Sequence, residues 1–174
     1  MPTRITLPIR PEVAQTLRAG QSVLLDGEML VFRDAGHKRL YESICQGAPA
    51  FDIAAETVYF MGPCPAREGE VIGSAGPTTS CRMDKYSPTL FDMGLAAQIG
   101  KGKRDQATID AIARNRGVYF AAIGGAGAVY QRCITSAQVL CFDDLGTEAV
   151  RRICVRDFPA VVAIDCVGGN IYAD

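Results

Sequence analysis

The sequence predicts an α/β domain with a mixed sheet and helices packed against it. Two features of the pattern and one of the composition lead to this class. The first third of the chain is rich in apolar runs with strand and turn signals, and the rest alternates strand-like and helix-like segments. The chain has 174 residues, of which 48% are hydrophobic and 21% are charged, which suits a globular domain with its own core. We therefore expect residues 1–174 to form one domain.

The local patterns place the elements in chain order. They predict helices over 11–18, 34–45, 85–95, 105–115 and 148–153, and strands over 22–32 (as a hairpin), 57–61, 95–99, 118–125, 137–142 and 161–165. The hairpin depends on Asp26-Gly27, because this dipeptide between two apolar runs is the strongest short hairpin signal. The second helix depends on Asp34, whose side chain can cap it, and on Gly47 just past its end.

Charge and hydropathy argue against two classes of partner. The net charge is −1, whereas a nucleic-acid-binding protein usually carries a basic excess or stripe. The chain starts without the apolar core of a signal peptide. Its longest apolar run, Val118–Tyr130, is interrupted by glycines and is shorter than the about 20 residues of a membrane span. We expect a cytoplasmic protein that binds neither nucleic acid nor membrane.

Seven cysteines are spread along the chain without a Cys-x-x-Cys pair: Cys45, Cys64, Cys81, Cys133, Cys141, Cys154 and Cys166. The odd number argues against a disulfide framework. The spacing also argues against an iron–sulfur or zinc site built by this chain alone. We expect most of these cysteines to be buried small hydrophobes, with Cys81 excepted because it lies within the motif described next.

The least ordinary segment is Gly76–Asp84, which reads GPTTSCRMD. Small hydroxylated residues after Gly-Pro favour a tight loop whose amides and hydroxyls converge on one anion. Arg82 can bind a carboxylate through two parallel hydrogen bonds. The alternative is a capped turn before a helix, in which Arg82 pairs with Asp84 or is solvated.

A second basic segment, Gly100–Arg104, reads GKGKR and follows a predicted strand. The loop after the carboxyl end of a strand is where α/β domains bind ligands, and the glycines let the backbone around Lys101 approach one closely. Lys103 and Arg104 suit a solvated turn better. The glycines within 124–127 do not fit a dinucleotide-binding fingerprint, so we expect them to allow close packing at a bend.

A third group lies where a predicted strand meets a helix. Arg33 ends the strand, and Asp34 would cap a helix whose start favours anions. His37, the only histidine, lies on or beside an apolar face, so it is either a supporting group of a site or a buried core residue. Together, Arg33, Arg82 and Lys101 suit a small polyanion such as a dicarboxylate.

These segments together resemble the carboxyl-terminal domain of class I fumarases, which is a separate beta subunit in two-subunit members. The resemblance is carried by GPTTSCRMD, GKGKR, RDAGHKR, YFAAIGGAGA and the late DLGTEAV and VRDFPAVVAIDCVGGNIY, and it covers nearly the whole chain. L-tartrate dehydratase beta subunits are close cousins that share GPTTS, an Arg-Met dipeptide and GKG. Asp84 after Arg82-Met83, and the segment IGGAGA, are more similar to the fumarase branch.

The resemblance implies a swivelling β/β/α-type domain and a hydro-lyase that interconverts fumarate and L-malate. The partner alpha subunit would carry a [4Fe–4S] cluster on three of its own cysteines, and the open iron would act as a Lewis acid toward the substrate. Thr78 matches the family's proton base, and Arg33, Arg82 and Lys101 match its substrate-binding cations. Thr78, Arg82 and Lys101 are thus expected to be catalytic, and Asp34 could orient Arg33.

The same resemblance implies a shared active site. The acid at the hydroxyl end of the substrate would belong to the alpha subunit, so this chain would be inactive alone and work in a hetero-oligomer. A homodimer is the form open to the isolated chain. Two other functions stay open: an L-tartrate dehydratase beta subunit, and a non-catalytic module that binds small dicarboxylates, which the lack of metal ligands in the sequence motivates.

Overall fold

The computed structural model describes residues 1–173, which form a seven-stranded mixed sheet with helices packed on it. The strands are β1 (Thr3–Leu7), β2 (Ser22–Val31), β3 (Thr57–Tyr59), β4 (Ala97–Gly100), β5 (Val118–Ala121), β6 (Ile134–Cys141) and β7 (Val150–Ile164). The helices are α1 (Pro11–Ala14), α2 (Asp34–Cys45), α3 (Ser87–Asp92), α4 (Gln106–Arg114) and α5 (Gly127–Cys133), with 3₁₀ helices over Ser80–Met83 and Asp143–Glu148. The predicted α/β class is confirmed.

Strand β7 closes the sheet into a ring. The strand order is β1-β2-β3-β4-β5-β7-β6, and β7 pairs with β2 as well. Strands β2 to β5 are parallel to their neighbours, whereas β7 runs antiparallel to β2, β5 and β6. The carboxyl ends of four consecutive parallel strands therefore lie at one edge of the ring, which is where ligands bind in sheets of this kind.

Side chains alternate along the strands between two apolar cores. In β2, Met29 and Val31 belong to the core enclosed by the ring, while Leu30 belongs to the core beneath the helices. Leu40 of α2 and Ile112 of α4 complete this second core. Because both faces of β3 and β4 are covered, every residue of these two strands is buried. This packing fixes the positions of the loops that follow the strands.

The predicted hairpin over 22–32 is wrong, because β2 continues through Asp26-Gly27 without a turn. Gly27 has a φ of +124°, and the pairing of β2 with β7 shifts register between Leu25 and Gly27. A Cβ at Gly27 would lie 2.5 Å from the carbonyl oxygen of Leu7 in β1. Glycine is therefore required for a bulge and a close backbone approach, not for a hairpin turn.

The predicted helix over 148–153 is also wrong, because β7 begins at Val150. Its first residues pair with β2 on one side and with β6 on the other, so tertiary pairing outweighs the local pattern. Helix α5, which begins at Gly127, the last of the glycines at 124–127, is absent from the prediction. The helices expected over 34–45 and 105–115 do form, as α2 and α4.

Most cysteines are not buried, contrary to expectation. Only Cys166 is buried among the seven, all of which the structure describes. The others lie at helix ends, in loops or 3₁₀ turns, on the edge strand β6, or in β7, which pairs with it. Within residues 1–173, no helix has the length and apolar character needed to cross a membrane.

Candidate functional site

The candidate site lies at the carboxyl-terminal edge of strands β2 to β5. Arg33 follows β2, Gly62 follows β3, Lys101 follows β4 and Gly124 follows β5. Because these strands are parallel neighbours, the loops that leave them meet at the same edge of the ring. The fold thus brings to one edge the loops that contain these four residues, which are far apart in the chain.

Thr78 lies between the ends of β3 and β4. Its amide donates to the Phe60 carbonyl oxygen at 2.7 Å, and its carbonyl oxygen accepts from the Lys101 amide at 3.3 Å. The Ser80 amide returns a bond of 2.9 Å to the Lys101 carbonyl oxygen. These backbone bonds set the Thr78 loop directly beside Lys101 and leave the threonine 8% exposed.

Arg82 forms a two-point ion pair with Asp34. Its Nε lies 3.0 Å from Asp34 Oδ1, and its Nη2 contacts Asp34 Oδ2, so the 3₁₀ helix Ser80–Met83 is joined to the start of α2. Both side chains stay accessible, at 52% for Arg82 and 35% for Asp34. The alternative pairing of Arg82 with Asp84 is therefore wrong. Asp34 is also the first residue of α2 and not its cap.

Arg33 packs its guanidinium against the backbone at Gly62. A Cβ at Gly62 would lie 2.5 Å from Arg33 Nε, so a larger residue there would displace the arginine. Arg33 Nε is 3.5 Å from Glu148 Oε1, and the same oxygen accepts from the Ala35 amide at 3.1 Å. Glu148 thus forms an ion pair with Arg33, whose Nε makes no hydrogen bond among the described residues, and it accepts from one amide at the start of α2. Asp34, which was expected to orient Arg33, pairs with Arg82. Glu148 lies too far along the chain for a local pattern to reveal it.

Lys101 extends over the glycines that follow β5. Its Nζ would lie 3.8 Å from a Cβ built at Gly124, which is an ordinary van der Waals distance, so the lysine side chain lies beside this glycine without requiring it. Within residues 1–173, no carboxylate lies within 4 Å of Lys101 Nζ. The half-buried ammonium is thus available to an external anion.

His37 is buried, at 1% exposure, among the rings of Phe32, Phe60 and Tyr86. Its Nδ1 lies 2.9 Å from the carbonyl oxygen of Arg33, and its Nε2 has no partner among the described residues. Burial lowers the pKa of His37 from 6.5 to about 3, so the ring is neutral near pH 7. This position agrees with the alternative that His37 is a buried core residue.

Arg104 is the largest departure from expectation, because its side chain is 0% exposed and not solvated. It donates to Asp84 Oδ1 at 2.6 Å, to Gln98 Oε1 at 2.8 Å and to Ser87 Oγ at 2.7 Å. Its guanidinium also lies 4.8 Å from the Tyr119 ring centroid. Local sequence cannot separate this arginine from its exposed neighbour Lys103, since only the tertiary fold supplies its acceptors.

Three cations, Arg33, Arg82 and Lys101, thus lie in the loops at this edge, and among residues 1–173 their carboxylate partners are Glu148 for Arg33 and Asp34 for Arg82. Such an arrangement can bind a small dicarboxylate through charge-assisted hydrogen bonds. Within residues 1–173, no three His, Cys, Asp or Glu side chains are grouped closely enough to hold a metal ion. The described residues consequently do not fit as ligands of an iron–sulfur cluster.

Comparison with known proteins agrees with the resemblance noted above. Fumarate hydratase 2 of Leishmania major is 35% identical over 169 residues, which cover 95% of this chain and 29% of that protein. The aerobic class I fumarate hydratase of Escherichia coli K12 is 37% identical over 152 residues, 85% of this chain and 28% of that protein. The L(+)-tartrate dehydratase subunit beta of the same strain is 26% identical over 175 residues, 98% of this chain and 86% of that protein.

The chain thus spans less than a third of the length of these fumarate hydratases and aligns with most of the tartrate dehydratase subunit. A sequence model of one family, described as Fumarase C-terminus, matches residues 3–174. The chain therefore belongs to the fumarase C-terminus family.

Proposed function

We propose that this chain is the beta subunit of a two-subunit hydro-lyase that interconverts fumarate and L-malate, and that it supplies the carboxylate-binding cations and the C–H proton base. The observation that supports the proposal is that Arg33 and Lys101 follow parallel strands at one edge of the ring, with Thr78 bonded to Lys101 and Arg82 paired with Asp34 next to Arg33. Identity of 35–37% to fumarate hydratases over most of the chain supports the choice of reaction.

The cations would hold the substrate by its carboxylates. Arg82 uses one N–H of Nε and one of Nη2 on Asp34, which leaves three N–H donors for an incoming carboxylate. Lys101 has no carboxylate partner among residues 1–173, so binding an anion there breaks no internal ion pair. Arg33 follows β2, which is separated from β4 by β3, and it would bind a second carboxylate from that side of the edge.

Thr78 would move the proton. In malate dehydration, the C–H proton next to a carboxylate would pass to the alkoxide of Thr78 Oγ1, which becomes a neutral hydroxyl, and the C–H electron pair would form the double bond. The hydroxyl on the neighbouring carbon would take a proton from an acid of the partner and leave as water. A neutral hydroxyl is a very weak base, so its alkoxide needs a cation close by. Lys101, whose amide donates to the Thr78 carbonyl oxygen, would stabilise that charge and the enolate-like carboxylate that develops.

The remaining chemistry would come from a partner alpha subunit. The chain aligns with most of a protein named as a beta subunit, which supports a second polypeptide that contributes the rest. We assign the [4Fe–4S] cluster and the acid at the substrate hydroxyl to that partner, since the described residues here do not fit as cluster ligands. The chain alone would then be inactive.

Reconstitution tests the proposal. The full chain, co-purified under anaerobic conditions with its cluster-bearing partner, should convert fumarate to L-malate. Thr78→Val and Lys101→Ala should each abolish turnover while the fold is kept, and Lys103→Ala, on the neighbouring exposed lysine, is the matched control. Full activity of either site variant would remove the role assigned to that residue.

L-tartrate dehydration is the second candidate, and one observation favours it. The tartrate dehydratase subunit is matched over 86% of its length, so it shares the two-subunit arrangement proposed here. If the reconstituted pair dehydrates L-tartrate and leaves fumarate unchanged, the substrate assignment moves to this candidate. A chain that binds dicarboxylates tightly in calorimetry without any partner would instead favour a non-catalytic binding module.

A further inference from the structure

A buried polar network lies directly beneath the candidate site. We call it the buried brace and define it as Arg104, Asp84, Tyr119 and Ser80. Asp84 directly follows the 3₁₀ helix, Arg104 follows the loop that carries Lys101, and Tyr119 lies in β5. The brace therefore connects the loop that carries Lys101 to the segment that carries Thr78.

The first contact of the brace is made by Asp84. One carboxylate oxygen accepts from Arg104 Nε at 2.6 Å, and the other accepts from the Asp105 amide at 2.8 Å. Both atoms belong to the chain that leaves the Lys101 loop. The Asp84 carboxylate, at the end of the 3₁₀ helix, thus binds both a side chain and a backbone amide of the residues that follow the Lys101 loop.

The second contact is made by Tyr119. Its hydroxyl donates to the Gly102 carbonyl oxygen at 2.9 Å and therefore accepts from Ser80 Oγ at 2.8 Å. Burial raises the pKa of Tyr119, so the hydroxyl keeps the proton that this arrangement needs. A Cβ at Gly100 would overlap Ser80 Oγ, so only glycine lets the serine reach this position.

The two contacts are coupled to each other. The Arg104 guanidinium lies over the Tyr119 ring, 4.8 Å from its centroid, and both side chains are buried. A buried guanidinium is tolerated only while its acceptors stay in place, so a shift of the Lys101 loop would break several bonds at once. The backbone adds two bonds, at 3.3 and 2.9 Å, which join the loop to Thr78 and Ser80.

We infer that Arg104 and Tyr119 are positioning residues, which act through the buried brace to fix Lys101 against Thr78. The inference rests on the proposed function for its kinetic consequence, although its structural part does not. Neither residue touches the substrate edge. An apolar pair of similar volume could fill the same space, whereas the polar brace adds a defined spacing between base and cation.

The test compares three changes in the full chain. Tyr119→Phe removes only the bridging hydroxyl. The double change Arg104→Met with Asp84→Leu replaces the buried pair by apolar groups, which avoids leaving one charge unpaired. The matched control is Arg114→Met with Asp92→Leu, because that pair is also joined by two bonds of 2.8 Å but is about half exposed.

The first measurement is amide hydrogen exchange in the chain alone. We expect both brace variants to speed exchange at Ser80 and Lys101 by about tenfold or more, a change of about 1.4 kcal/mol in local opening. Exchange at Gly20, which donates to the distant Val162 carbonyl oxygen, should stay unchanged, and so should all three amides in the control. Unchanged exchange at Ser80 and Lys101 in both variants would overturn the inference.

The second measurement is the kinetics of the reconstituted pair with fumarate. We expect kcat to fall about 10²-fold in the double variant and less in Tyr119→Phe, because misplacing a catalytic group by about 1 Å costs that much, while KM changes little. Arg104→Lys should not restore kcat, since an ammonium cannot reproduce the guanidinium fork. Normal kcat in both brace variants would also overturn the inference.

The two measurements separate failure of the inference from failure of the proposed function. If the unaltered reconstituted pair does not hydrate fumarate, the proposed function fails, and hydrogen exchange alone then decides whether the brace fixes the loop. If the double variant does not fold, Tyr119→Phe carries the decision, since it removes a single oxygen atom.

Discussion

Two arginine–aspartate ion pairs each include a residue of the segment 82–84, but one pair is exposed to solvent and the other is buried. Arg82 pairs with Asp34 at the surface, where its side chain is 52% exposed, and Asp84, two residues later, pairs with Arg104, whose side chain is 0% exposed. The first pair is joined by two bonds to one carboxylate. In the second, the guanidinium distributes three bonds over three different acceptors.

The difference in exposure fits the two proposed roles, in which Arg82 binds a substrate carboxylate and Arg104 fixes the Lys101 loop. A substrate carboxylate can compete with Asp34 for Arg82, because water and solutes reach both side chains and an exposed pair contributes little to stability. No solute reaches Arg104, and breaking its pair would leave a desolvated charge. The exposed pair is thus suited to recognition, and the buried pair is suited to fixing the loop that recognition depends on.

Removal of Arg104 should give the largest effect on stability. Arg104→Ala leaves the Asp84 carboxylate buried without its main partner, so we expect the free energy of unfolding to fall by about 3–5 kcal/mol. Chemical denaturation at pH 7 measures it. Arg114→Ala, at an exposed pair, is the control and should leave stability nearly unchanged; equal losses in the two variants would contradict the contrast between exposed and buried pairs.

Removal of Arg82 should instead affect turnover. Losing a cation that contacts the developing charge should lower kcat of the reconstituted pair about 10²–10³-fold, while the free energy of unfolding changes by less than about 1 kcal/mol. Steady-state kinetics and denaturation of the same preparation measure both quantities. A large stability loss with normal kcat would reverse the roles assigned to Arg82 and Arg104.

The pH dependence of stability should report the buried His37. The unfolded chain binds a proton with a pKa near 6.5, but the folded chain stays neutral at His37 until about pH 3. The unfolded state therefore binds more protons below pH 6.5, and stability falls as the pH drops through that window, by about 1.4 kcal/mol per pH unit.

Because His37 is the only histidine, His37→Phe provides a direct comparison. The variant should lose this part of the acid sensitivity. The free energy of unfolding of the unaltered chain should therefore fall, relative to that of the variant, from pH 7 to pH 5. Urea denaturation across that range measures it. Parallel pH profiles would mean that the ring is accessible to protons in the folded state.

The smallest expected effect is the coupling between Arg82 and Asp34. A double-mutant cycle with alanine at each position should give a coupling free energy below about 1 kcal/mol, and added salt should reduce it further. The same cycle on Arg104 and Asp84 should give a larger value with little response to salt. A stronger, salt-resistant coupling at the exposed pair would mean that Asp34 holds Arg82 too firmly for a substrate to displace it.

The sequence predicted the residues at the candidate edge better than the network below it. Arg33 and Lys101 were placed next to apolar strand-like runs, and strand ends in α/β domains collect at one edge, so their meeting follows from local pattern and topology. Burial of Arg104 and the contact from Glu148 depend on acceptors far along the chain, which no local window contains. In the same way, Asp26-Gly27 carries a hairpin signal, yet the pairing of β2 with β7 makes it a bulge.

Proton exchange at carbon 3 of L-malate in D₂O, catalysed by the reconstituted pair, is the measurement that decides the proposed division of labour. We predict that the unaltered pair exchanges this proton and forms fumarate, whereas Thr78→Val still binds L-malate but exchanges no proton. Exchange at the normal rate in Thr78→Val, or an unaltered pair inert toward L-malate and fumarate, would contradict the account.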